Sequence, residues 1–215
     1  MHFQSANPFE KFHDMAQALV EAFKKKYESL AGSVHVVKDA AGAFDAVAAI
    51  LKETQATRVA LADLPQALQD LIETHCAAQK IGVLKQPYHA ADLPGSVDGA
   101  QVGVSGASFG IAPMGAFIEL TTDDAVRLVS LLPNTHIAVL EAGQLLATLE
   151  EAAPRIREYF RQNPTNAAIT FISGPSRSGD IEMRLTLGVH GPQVSHVIVL
   201  DPSAEAVPAH EAAQA

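Results

Sequence analysis

A chain of 215 residues, 48% of them apolar, is long enough to bury a sizeable core and has no polar tract that would keep it unfolded. Its 24 acidic and 15 basic residues give a formal net charge of -9, and no Lys or Arg block interleaves with aromatics, which excludes the clustered cations that nucleic acid requires. The single cysteine, Cys76, can close no internal disulfide and by itself supplies no iron–sulfur or zinc centre.

The start, "MHFQSANPFEKF", lacks the basic end and apolar run of a signal peptide, and no stretch approaches the ~20 apolar residues of a membrane span. A soluble cytoplasmic protein is expected. The segment that follows reads as an amphipathic helix, with Phe9, Phe12, Met15, Ala16, Leu19, Val20 and Phe23 at three- and four-residue spacing and Gly32 as its stop. Lys24, Lys25 and Lys26 form its solvated last turn.

Strand and helix patterns then alternate: "SVHVVKD", "AGAFDAVAAILKETQA", "RVALAD", "LPQALQDLIETHCAAQKIG", and a short strand at "GVLK" before a Pro- and Gly-rich loop. His75 and Cys76, at the end of a helix, read as packing and surface residues rather than a metal or nucleophile pair. The second half gives β-like runs at Gln101 to Val104 and Ala116 to Leu120, a helical turn over "DDAVRLVSLL", and the apolar strand "THIAVLEA". A helix from Gly143 follows, interrupted by Pro154, and then the strands "AAITFISG" and "SHVIVLD". This alternation predicts an α/β fold, a mainly parallel sheet with helices on both faces. The expected organisation is an N-terminal helix over 1–32, a single α/β domain over 33–202 and a loose tail over 203–215.

Between the last two strands lies "SGPSRSGDIEMRLTLGVHGP", residues 173–192. If those strands are parallel neighbours, a crossover is needed, which favours a helix over "SGDIEMRLTLG" with Ser178 as its cap. The alternation of Ile181, Met183, Leu185, Leu187 and Val189 speaks for a strand instead. Candidate ligand-binding residues are Gly174, for close backbone approach, Ser176 and Ser178, for their hydroxyls, and Arg177, whose guanidinium suits a small carboxylate or phosphate. His190, framed by glycines, and the carboxyls of Asp180 and Glu182 are the candidate catalytic groups. The glycine-rich "GVSGASFGIAPMG" adds Ser105 and Gly106 as a second ligand wall facing this loop. It matches neither a dinucleotide fingerprint nor a Walker loop. The histidines are scattered, so no metal site is assigned.

The blocks "GVSGASFGIAPMGAFIEL", "RLVSLLPNTHIAVLE" and "ITFISGPSRSGDIEMRLTLGVHGPQVSHVIVL" resemble the LUD (lactate-utilisation) domain family, formerly a domain of unknown function, in its lactate utilisation protein C-like form. G-P-S-R-S-x-D-I-E followed by G-V-H-G-P is the most specific of these motifs. The resemblance implies a Rossmann-like sheet similar to the sugar-phosphate isomerase, CoA-transferase and formyltetrahydrofolate cyclo-ligase group. It also implies a part in oxidising L-lactate to pyruvate, beside partner proteins that carry the iron–sulfur clusters, with no cofactor in this chain. The alternatives are a stand-alone enzyme of the isomerase or cyclo-ligase type, acting on a nucleotide or phosphorylated ligand, and a non-catalytic interaction subunit. Where relatives carry an acidic residue and an E-T-G-T-like run in the first loop, this chain has Ser108 and Pro113-Met114-Gly115-Ala116. Glu119 alternates differently and is not taken as a replacement.

Overall fold

A computed structural model of the chain describes residues 8–179, 185–187 and 190–204. Helix α1 (Pro8–Ser29) leads into β1 (Ser33–Val37), α2 (Ala40–Glu53), β2 (Arg58–Ala62), α3 (Gln66–Gln79) and β3 (Gly82–Lys85). The turn-rich stretch after β3 holds the short α4 (Gly95–Asp98). Then come β4 (Val102–Gly106), β5 (Phe109–Ile111), β6 (Ala116–Thr121), α5 (Asp124–Leu131), β7 (Thr135–Glu141) and β8 (Leu145–Leu146). The chain continues through α6 (Leu149–Gln162), β9 (Ala168–Ile172), β10 (Arg177–Gly179), β11 (Leu185–Leu187) and β12 (Val194–Leu200).

Six strands form one sheet in the order β1-β12-β7-β4-β2-β3, and every neighbouring pair is parallel. Strands covered on both faces need near-continuous apolar runs, and β7 shows one, with six of its seven residues buried. On one face α2 and α3 place Val47, Ile50, Leu51, Leu68, Ile72 and Cys76 against the sheet. On the other, Val20, Phe23 and Tyr27 of α1 meet Val34, Ala138, Val197 and Val199. A second sheet, β8-β5-β6-β9, covers the neighbouring part of that face through Phe117 and is itself covered by α6, while α4 and α5 cover Ala60 and Ala62 of β2. The helix starts follow local chemistry: Asp39 caps α2, Asp123 caps α5 and Thr148 caps α6 by accepting backbone N–H bonds.

The structure corrects three local expectations. The two late strands are not neighbours: β9 pairs antiparallel with β6 in the small sheet, and β12 sits between β1 and β7. No crossover helix is then required, and where the chain between them is described it is a hairpin, Arg177↔Leu187 to Gly179↔Leu185. At Leu185 and Leu187 the alternating pattern was the valid signal, and Ile181, Met183 and Val189 lie outside the described residues. The residues from Gly143 form a 3-10 turn and β8, and the helix proper begins at Leu149 and runs unbroken past Pro154 to Gln162. Finally, Met15 is 57% exposed, so the buried stripe of α1 lies further along, at Val20, Phe23 and Tyr27.

A crevice at the switch point of the sheet

From β2 the chain moves outward to β3 and then returns to the other side of β2 as β4. The strand order therefore reverses between β2 and β4, and the crevice outside their carboxyl ends is where open α/β sheets take ligands. A cavity of about 350 Å³ lies there, lined by Asp63, Pro65, Gly106, Ser108, Glu141 and Gln144 among others. Asp63 follows β2 directly and holds a left-handed backbone, φ 51°. Its N–H donates to Gln86 Oε1 at 2.8 Å, and Gln86 Nε2 donates to Asp123 Oδ2 at 2.9 Å, which fixes that turn from outside. Gln144 accepts from Arg155 Nη1 at 2.7 Å, which orients the amide at the rim. A second cavity of about 450 Å³ shares the Glu141 wall and reaches Lys38 and Gly143.

Beneath this floor is a buried polar cluster. Ser105 Oγ donates to Glu119 Oε1 at 2.7 Å and Ser130 Oγ donates to Glu119 Oε2 at 2.8 Å. His136 Nε2 lies 2.8 Å from the same Ser105 oxygen. A hydroxyl has one hydrogen and Ser105 gives it to Glu119, so His136 carries its proton on Nε2 and is the donor. Burial pushes the Glu119 carboxyl up from the ordinary carboxylate range, the two serine bonds oppose that, and the Asp63 charge adds to it. Burial, with a smaller push from His196, drives His136 down to about 3. The serine is a link between acid and imidazole, so the cluster is not the Ser–His–acid order of a nucleophilic triad.

The expected site residues fall at two ends of the sheet. Gly106 lines the crevice, whereas Ser105 is fully buried and bonded below it. Gly174, Ser176, Arg177, Ser178 and His190 gather at the amino end. There Gln193 N–H donates to Asn134 O at 2.9 Å and Ser176 N–H to Pro192 O at 2.9 Å. Gly174 has φ 111° and a β-carbon there would stand 2.7 Å from Leu30 O, so its backbone approach serves packing against the turn after α1. Arg177 and His190 are exposed. Asp180 and Glu182 lie outside the described residues. Ser105 and Gly106, at the carboxyl end of β4, stand away from Ser176 and His190, which adjoin the amino ends of β7 and β12.

Sequence reasoning missed Asp63, Glu141 and Gln144. The available signal was an acid at the carboxyl end of two apolar strands, "RVALAD" and "THIAVLE". It also set aside Glu119, which shares its strand face with Phe117 and is 2% exposed. Among the described residues, no three His, Cys, Asp or Glu side chains cluster as metal ligands, and no helix is long and apolar enough to cross a membrane.

Comparison with known proteins gives a match of the LUD domain family to residues 20–200. Lactate utilization protein C of Shouchella clausii (strain KSM-K16) is 39% identical over 102 residues, covering 47% of this chain and 44% of that protein. The protein of the same name from Bacillus subtilis (strain 168) is 36% identical over 104 residues, covering 47% of this chain and 43% of that one. The matched stretch thus spans less than half of each relative. A crystal structure of a DUF162 family protein from Deinococcus radiodurans shares the fold with a TM-score of 0.61 at 21% identity, over 86% of this chain and 98% of that one.

Proposed function

This chain belongs to the LUD domain family, and from that premise we propose that it serves lactate utilisation as a component that holds a small ligand in the carboxyl-end crevice. The relatives' name, lactate utilization protein C, supports the role. The observation that carries the site is the crevice itself, at the sheet's switch point, with Asp63 and Glu141 in its wall. Two carboxylates and no lysine or arginine in that wall repel a free anion. The crevice then takes its ligand by hydroxyl, amide or cationic groups that donate to Asp63 and Glu141, while Gln144 and Ser108 complete the polar rim. Redox steps belong to iron–sulfur partner proteins in this reading, since Cys76 is buried in the core under α3 and offers no cluster ligand.

The test is growth of the host lacking this gene. The null strain fails on L-lactate and grows on pyruvate; the wild-type gene restores growth, and Asp63→Asn with Glu141→Gln does not. Normal growth of the null strain on L-lactate overturns the role. Restoration by the double variant overturns the crevice alone.

A second reading keeps a small anionic ligand at the amino-end hairpin, favoured by the exposed Arg177 beside Ser176 and His190. Calorimetry with L-lactate and inorganic phosphate then gives saturable binding that Arg177→Ala abolishes. Absence of binding to the wild type removes this reading.

A further inference from the structure

The Glu119 cluster serves no step of the reading above, yet it is built against the crevice floor. Ser105, which bonds Glu119, is followed directly by Gly106. The carbonyl oxygen of Asp63 lies 2.1 Å from where a β-carbon at Gly106 would stand. The other titratable groups on the elements packed about Glu119 are few. They are Arg58 on β2 and Asp63 after it, His136 and Glu141 on β7, and Asp123, Asp124 and Arg127 at the start of α5, of which Asp124 and Arg127 pair with each other. Strands β4, β5 and β9 carry none. His136 in turn has His196 near it and is neutral across the working range.

Both protonation states of Glu119 are satisfied by this geometry. Ionised, it accepts from Ser105 and Ser130. Protonated, it donates from Oε2 to Ser130 Oγ, whose own hydrogen turns to the carbonyl of Arg127, 3.1 Å away. Ser105 and His136 keep their bonds in either state. A buried acid that can gain or lose a proton without orphaning a neighbour is a site that can switch.

We propose that Glu119 is a buried proton-holding group coupled to the crevice, so that a ligand presenting a cation or hydrogen-bond donors to Asp63 drives the proton off Glu119 into solvent. This deepens the crevice reading by naming what regulates it. Neutralising Asp63 removes the like charge that adds to burial in holding the proton on. Linkage is reciprocal, so such a ligand binds more tightly as pH rises through the Glu119 titration.

Carboxyl carbon NMR of the full chain, labelled at glutamate, tests the coupling with no ligand present. Glu119→Gln identifies the resonance by its loss; if that variant does not fold, Ser105→Ala identifies it by its displacement. The wild-type midpoint lies above the 4.5 of an unperturbed glutamate. Asp63→Asn moves it to lower pH, and Ser105→Ala, which removes a donor to the ionised form, moves it higher. An Asp63→Asn midpoint equal to the wild type's overturns the coupling. Nitrogen NMR of His136 reads the route: Nε2–H at every pH supports Ser130, and a change to Nδ1–H overturns it. These readouts involve neither lactate nor growth, so they fail separately from the role proposed above.

Discussion

The Asp63 carbonyl oxygen would stand 2.1 Å from a β-carbon at position 106, with the carbonyl carbon at 3.1 Å. Both atoms are backbone, and Asp63 is pinned by Gln86, so neither can give way by a rotamer change. Gly106→Ala must displace the β2–α3 turn and is expected to cost about 3 kcal/mol of unfolding free energy in urea. Gly143, in the adjoining second cavity, has open space around it, and its alanine variant stays within about 0.5 kcal/mol of wild type. Equal effects at the two positions would falsify the claim that the turn and β4 are locked together. The sequence showed a glycine-rich segment after a strand and so pointed to Gly106. It could not show Asp63 beside it, because that contact depends on strand order, which brings residues 43 positions apart together.

At the scale of elements, Tyr27 of α1 and Ser195 of β12 share a hydrogen bond of 2.6 Å, and burial pushes the phenol up to about 12. This bond ties the first helix to the last strand. Ser195→Ala leaves the buried phenol with the Gly174 backbone alone as a partner and costs about 1 to 3 kcal/mol, whereas adding Tyr27→Phe costs little more. A double-mutant cycle in urea measures the coupling, and additive single effects would show that the two hydroxyls do not depend on each other. The same scale explains which elements were legible. Strands β2, β7 and β12 are apolar runs bounded by helical patterns, so the parallel sheet was readable from period and composition. Strands β5 and β8 have three and two residues, too short for any period, so the small mixed sheet was invisible. Its absence from the reading allowed β9 and β12 to be taken as neighbours, which favoured a helix over the strand that the alternation supported.

For the whole molecule, the groups that most oppose acid are histidines buried in their neutral form. His136 is held at about 3 and His196 at about 4, both chiefly by burial, and His35, which shares a 3.2 Å hydrogen bond with His196, is also lowered. Each binds a proton in the unfolded chain below its ordinary 6.5 while the folded form stays neutral. Stability is therefore lost as pH falls through 6.5 toward 4. Glu119 acts in the opposite sense: its raised value means that the folded state takes up a proton first, which favours folding as acid is added down to 4.5. Among the described residues, three depressed bases outnumber one raised acid between pH 6.5 and 4.5, so the unfolded state binds more protons and the net slope is destabilising. Urea midpoints from pH 7.5 to 4.5 should fall throughout that window. The fall should be shallower in His196→Phe, which removes one of the bases that must charge on unfolding. A midpoint that is flat or rises toward pH 4.5 would mean that these imidazoles are charged in the folded protein. The Ser105–His136 bond, with the histidine neutral and Nε2–H as its donor, would then be wrong as well.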